Sequence, residues 1–166
     1  MEIRQLTRDD LPLRVEWMNH PAVYSSMHFQ LPVLLENTER WYEHIMFDSS
    51  RTDVACVEDG LVVAMGGLTH WDMENSKAEL YVFVNPYLQK SGFGTKAVRL
   101  LCQYGFNELY LEKIYLMTNE DNIPAQRVYE KCGFTLEGNL RQEYHVSDGI
   151  YKSRFYYGLL KNEWNG

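Results

Sequence analysis

The chain has 166 residues, of which 45 % are hydrophobic and 23 % charged, with a formal net charge of −7. Roughly 100–200 residues make one domain and this balance is that of a globular chain, so disorder is excluded and a single domain over residues 1–166 is expected. The acidic charge excludes the basic footprint of nonspecific nucleic-acid binding, the histidines lack metal-ligand spacing, and Cys56, Cys102 and Cys132 lie far apart outside any C-x-x-C, as buried thiols in a reducing compartment do.

The first residues, MEIRQLTRDD, lack the apolar run of a signal peptide, and the most apolar stretch, Leu61–Leu68, is too short for a membrane span. A cytoplasmic protein with no membrane contact and no metal is expected. Glu2–Leu6 reads as a first strand. Thr7 and Asp9-Asp10 before Leu11-Pro12 make a helix start, and the helix carries Leu13, Val15, Trp17 and Met18 as far as Asn19-His20-Pro21. Ala22–Pro32 reads as a loop or short helix rich in Tyr24, Met27, His28 and Phe29. Pro32–Phe47 is a second helical zone, with Thr38, Trp41, Tyr42, Ile45 and Met46 at helical spacing.

Asp53–Glu58 and Leu61–Thr69 read as a hairpin about Asp59-Gly60, and Gly66-Gly67 predicts a bulge or a close approach. After the polar turn Asp72–Ser76 comes a strand through Leu80–Val84, the breaker Asn85-Pro86, a loop over Gln89–Gly94, and a helix to about Leu109. Its apolar residues Phe93, Ala97, Leu100, Leu101 and Tyr104 follow helical spacing. Lys113–Thr118 is the next strand, parallel to Leu80–Val84 because a helix separates them. Asn119–Asn122 starts a helix with Pro124 in its first turn, and Gly133 stops it. Phe134–His145 and Ile150–Leu160 are further strands joined at Ser147-Asp148-Gly149, and Trp164 is expected to tuck onto the sheet. The order is mixed α/β with one parallel crossover.

The order strand, glycine loop, helix makes an anion site. A helix N-terminus presents unpaired N–H groups and partial positive charge, and glycine lets a phosphate approach closely. Lys90 adds a cation at the rim. A Walker loop is excluded, since Gly94-Thr95-Lys96-Ala97 lacks its Lys-Ser/Thr pair. A dinucleotide fingerprint is met on paper by Gly92, Gly94 and Ala97, but Glu112 precedes the next strand rather than ending it and no second βαβ unit follows. The third pattern is Pro86 with Gln89-x-x-Gly92-x-Gly94.

With this third pattern the chain resembles the GNAT superfamily of N-acetyltransferases. A second motif, Asn122-x-x-Ala125-x-x-x-Tyr129-Glu130-Lys131-Cys132-Gly133-Phe134, resembles the same family, and the likeness covers nearly the whole chain. The tail Glu137–Arg141 with Tyr157–Leu160 and Glu163-Trp164 resembles the branch acting on ribosomal-protein N-termini, polyamines and amino sugars. Trp17-x-Asn19-x-Pro21 followed by Met27 is similar to the amino-sugar and polyamine kind. The resemblance implies a central mixed sheet of six to seven strands, about four helices, and parallel strands 4 and 5 that splay apart. It implies acetyl transfer from acetyl-CoA to a primary amine on a small molecule or peptide, by direct attack in a ternary complex. Phe83 and Val84 would line the pantetheine arm, with the Val84 N–H donating to the thioester oxygen. Backbone N–H groups of Gln89, Lys90, Ser91, Gly92, Phe93, Gly94 and Thr95 would hold the pyrophosphate. Asn122 would bond the arm, and Tyr129 would sit near the sulfur as the general acid that protonates the departing thiolate.

An attacking ammonium must first lose a proton, so a base is needed. Glu79, an acid on a central strand, is a candidate base or an edge-of-strand charge partner; His28 is a weaker one. The aromatic segment Tyr24–Phe29 with Trp41, Trp71 and Tyr144 either lines an acceptor pocket or packs the core. The alternative reading is an acyl-CoA-binding module without turnover. A homodimer through an outer strand such as Ile150–Leu160 is a further expectation.

Overall fold

The computed structural model describes residues 1–166. Seven strands form one sheet in the order β1-β2-β3-β4-β5-β7-β6. They are β1 (Glu2–Gln5), β2 (Thr52–Glu58), β3 (Leu61–Asp72), β4 (Lys77–Val84), β5 (Lys113–Asn119), β6 (Thr135–Ser147) and β7 (Ile150–Leu160). The helices are α1 (Leu11–Met18), the single turn α2 (Pro21–Tyr24), α3 (Leu35–Ile45), α4 (Phe93–Asn107) and α5 (Ile123–Lys131). The expected elements are present, with ends shifted by a few residues. The Pro32–Phe47 zone contracts to α3, and Arg8–Asp10 forms a 3-10 turn before α1. There Asp10 accepts from the Thr7 N–H at 2.8 Å and the Thr7 hydroxyl at 2.9 Å, and from both Arg4 Nη atoms at 2.7 and 2.8 Å.

Alternation along β4 sets the two layers. Leu80, Val82 and Val84 face the larger core under α4 and α5, with Val98, Leu101, Phe106, Ile114 and Tyr157. Tyr81 and Phe83 face the smaller core under α1–α3, where Trp17 is wholly buried and meets the Phe83 ring edge-on at 6.4 Å. Gly66 and Gly67 are a close approach, since a Cβ at either would strike the neighbouring strand. The bulge lies further on, between Thr69 and Asp72. Trp164 packs on Phe106 of α4 at 6.0 Å.

The parallel pairing of β4 with β5 is short. It runs only through Lys77↔Lys113, Ala78↔Ile114 and Glu79↔Tyr115. Beyond Glu79 the strands part, while β4 stays paired to β3 as far as Ala64↔Val84. The expected splay is present. One expectation fails: Ile150–Leu160 is not an outer strand. It pairs with β5 along one side and β6 along the other, so β6 is the free edge. The long β6–β7 hairpin inserts its return arm into the sheet, where it is the antiparallel partner of β5.

Candidate active site

The splay opens a groove of about 330 Å³. Phe83, Val84, Gln89, Lys90, Ser91, Gly92, Phe93, Gly94, Thr95, Asn122 and Tyr129 all line it. The loop earns this shape locally. Gly92 caps α4 at φ 80°, where a side chain would be strained although the space is open. Lys90 also takes a left-handed φ of 64°. Their turn aims the first N–H groups of α4, which lack intrahelical acceptors, at the groove. The Ser91 hydroxyl is committed to the Leu88 carbonyl. Asn122 caps α5, its Oδ1 accepting from Ala125 N at 3.3 Å, which leaves its Nδ2 free for a ligand.

The direction of the Val84 amide follows from the ladder. Asn85 N donates to Val63 O of β3 at 2.9 Å. Backbone groups alternate sides along a strand, so the Val84 N–H points away from β3 and into the gap. Tyr129 stands opposite on α5. Its ring is held edge-on by Phe134 at 6.0 Å and tilted against Tyr157 at 6.1 Å. Its hydroxyl makes no hydrogen bond within the protein. Burial pushes its pKa up to about 12, with the nearby Cys132 adding to the rise and Arg154 opposing it.

A second cavity of about 510 Å³ lies behind the same wall and shares Ser26, Val82 and Tyr129 with the groove. Glu79 and His70 line it, with His70 Nδ1 2.9 Å from Glu79 Oε2. The Thr69–Asp72 bulge creates this pair: His70 turns to φ 51°, which brings its ring onto the Glu79 carboxylate. His70 carries no motif, and only the bulge, whose position the sequence did not show, brings it to Glu79. Of the Tyr24–Phe29 segment, Met27, His28 and Phe29 line the same cavity, while Tyr24 is exposed and stands outside it. His28 is less suited to be the base, because its Nε2 is engaged by Asn119 Oδ1 at 2.8 Å and its ring lies 4.0 Å from that of Tyr144. Trp71 and Tyr144 stand outside this cavity, and Trp71 packs on the larger core.

A third cavity of about 470 Å³ adjoins the second and shares His28, Phe29 and Arg51 with it. Trp41 lies here, with Arg14. Arg51 grips Asp53 through two bonds of 2.7 and 2.9 Å, and the Tyr81 hydroxyl donates to the same carboxylate. Burial drives the Tyr81 hydroxyl far above its usual range, and Arg14 pulls it back only in part.

The geometry fits a diphosphate on an extended arm, with a separate chamber for a second substrate. A model of the acetyltransferase (GNAT) domain family matches residues 1–135. The spermidine N(1)-acetyltransferase of Escherichia coli is 28 % identical over 167 residues, covering 99 % of this chain and 88 % of that protein. The aminoglycoside N(6')-acetyltransferase type 1 of Klebsiella pneumoniae is 26 % identical over 151 residues, covering 83 % and 75 %. The crystal structure of spermidine N-acetyltransferase from Vibrio cholerae in complex with CoA and spermine superposes with a TM-score of 0.92 at 24 % identity, over 99 % of this chain and 97 % of that one.

Proposed function

The chain belongs to the GNAT acetyltransferase family, and from that membership we propose that it carries the acetyl group of acetyl-CoA to a primary amine on a small molecule, within a ternary complex. One observation supports this most: Tyr129 is in the wall shared by the two cavities, so a donor in one and an amine in the other meet at its hydroxyl. The residues around the groove fit the donor. The left-handed Gly92 turn, the free α4 amides, Asn122 Nδ2 and the inward Val84 N–H are together the donor set an anionic, amide-rich arm requires.

When bound, acetyl-CoA supplies a thioester whose C–S bond breaks as the amine nitrogen forms its bond to the carbonyl carbon. Glu79 and His70 act at the amine: the imidazole, held through Nδ1 by the carboxylate, takes the ammonium proton on its other nitrogen. The Val84 N–H stabilises the charge that grows on the carbonyl oxygen. Tyr129 stabilises the departing sulfur. With its pKa near 12 the hydroxyl stays protonated throughout the neutral range. A thiol loses its proton near pH 8.5, about 3.5 units lower, so complete transfer from Tyr129 is uphill, and in place of the general acid expected from the sequence the hydroxyl works as a hydrogen-bond donor. The nitrogen's second proton passes to the sulfur as the C–S bond breaks, so the net products are an amide, a free thiol and the one proton that His70 took from the ammonium.

Relatives that act on spermidine and aminoglycosides place polyamines and amino sugars in the acceptor panel, and N-terminal peptide amines complete it. The experiment is free-thiol release from acetyl-CoA across that panel, with a thermal shift by CoA alone. Stabilisation by CoA with no thiol release from any amine would leave a binding module and remove the enzyme reading. The expected homodimer passes from Ile150–Leu160 to the free β6 edge, and sedimentation measures it. The three free, buried cysteines suit a cytoplasmic location, which fractionation checks. No helix is long and apolar enough to cross a membrane.

A further inference from the structure

Arg14 is a charge without a counter-charge. It sits on the inner face of α1 and is 5 % exposed. Its guanidinium lies over the rings of Trp41, Phe83 and Tyr81 at 4.6, 5.1 and 5.7 Å. Its polar contact is one long bond of 3.4 Å from Nη2 to the Tyr81 hydroxyl, and its Nη1 has no partner. The nearby carboxylate, Asp53, is already taken by both Arg51 bonds and the Tyr81 O–H. The one acid is therefore taken up by Arg51, and both guanidiniums lie over the same Trp41 ring, Arg51 at 5.3 Å. Aromatic faces offset part of the cost of burying a cation; an anion offsets far more.

Both arginines line the third cavity, and Arg51 also lines the second. The order of chambers is then fixed. Tyr129 joins the first to the second, and Arg51 joins the second to the third. The Glu79–His70 pair stands in the middle one. We propose that the acceptor carries, besides its amine, a carboxylate or phosphate that Arg14 and Arg51 seat in the third cavity while the amine lies at Tyr129. Planar guanidiniums suit either oxyanion by paired N–H donors. A polycation would set a second ammonium against the buried, unpaired charge of Arg14, with Arg51 beside it. This inference rests on the acetyl-transfer reading of the same site and narrows its substrate class.

The experiment compares matched amines by thiol release: glucosamine against glucosamine 6-phosphate, an α-amino acid against its amide, and spermidine. The anionic member of at least one pair should win by about tenfold or more in kcat/KM, and the winning pair shows whether phosphate or carboxylate is read. In Arg14→Gln that ratio should fall to about twofold or less, with folding checked by the thermal transition. Because the wild-type ratios decide the matter alone, a variant that fails to fold does not protect the idea. If neutral amines or spermidine equal or exceed the anionic members, the anion seat is wrong and acetyl transfer stands. Thermal shifts by the same anionic amines, taken at saturating CoA so that the first groove is filled, separate the remaining case. A shift lost in Arg14→Gln, without thiol release, upholds the seat and removes the transferase; no shift and no release overturns the seat.

Discussion

Replacing Tyr129 by phenylalanine removes one hydroxyl from the wall between the two chambers and leaves the ring in place. Within the protein that hydroxyl has no partner, and the ring keeps its contacts with Phe134 and Tyr157 at 6.0 and 6.1 Å. Folding stability should therefore change by no more than about 0.5 kcal/mol. The reaction should change far more. A hydrogen bond to a charged partner contributes about 1.5–3 kcal/mol, and sulfur carries charge only as the C–S bond breaks. At about 1.36 kcal/mol per tenfold, kcat falls by roughly 10- to 150-fold while the KM for acetyl-CoA moves little. Initial rates of thiol release, with each substrate varied in turn, give both constants, and a thermal melt checks the fold. Since burial holds the hydroxyl protonated to about pH 12, the wild-type kcat should show no alkaline fall from Tyr129 below about pH 10. A kcat within about twofold of wild type would take Tyr129 out of the chemistry.

Gly94→Ala should separate stability from binding. The new methyl would lie 3.4 Å from Val84 Cγ2, an ordinary contact, so α4 gains about 0.5–1 kcal/mol, yet the methyl narrows the groove and raises the KM for acetyl-CoA by about 5- to 100-fold. A variant that is stabilised and binds CoA normally would show that the groove is not the donor site. Asp10→Asn tests the turn that leads into α1: burial raises the Asp10 pKa, but bonds from Arg4 and Thr7 outweigh it and hold the carboxyl below its usual value. With the folded pKa depressed, the stabilisation is whole above about pH 4 and fades as acid is added through the folded value; because Arg4 is partly exposed, the variant should lose about 1–2 kcal/mol at pH 7 and nothing once Asp10 is protonated. A pH-independent difference would remove the ionic account. Burial pushes the Cys56 thiol up to about 12 and raises those of Cys102 and Cys132, so a disulfide reagent at pH 8 should find no fast thiol in the native protein and three after denaturation.

Local rules exposed the groove proposed for the donor. The αL position at Gly92, the Asn122 cap and the breaker at Pro86 each follow from backbone chemistry that a few neighbouring residues express. The chambers proposed for the acceptor depend on contacts distant in sequence. In α1 the sequence pointed to Leu13, Val15, Trp17 and Met18; of these the helix buries only Trp17, together with Leu11 and Arg14. Arg14 turns inward because Trp41, 27 positions on, and Tyr81 and Phe83 of β4 supply faces for it, and none of these is visible from α1 alone. His70 reaches Glu79 only through a bulge, and bulge positions are not written in residue alternation. The place of β7 inside the sheet was likewise hidden: hairpin arms look alike in sequence, and which arm joins β5 depends on the whole sheet.

A sheet ordinarily exposes its sticky margins only at its two outer strands, where charge or curvature blunts them. Here Leu80–Val84 and Leu116–Asn119 add a second pair of bare margins in the middle of the molecule, facing each other across a wedge. Nothing in the chain zips them shut. Left empty, that wedge offers any extended peptide a ready template; filled by its nucleotide thioester, it is plugged, and ligand at about 100 times its dissociation constant adds about 2.7 kcal/mol to folding. The fuel for the reaction thus doubles as the molecule's stopper, and starving a cell of it should leave this protein prone to clump before it merely falls idle.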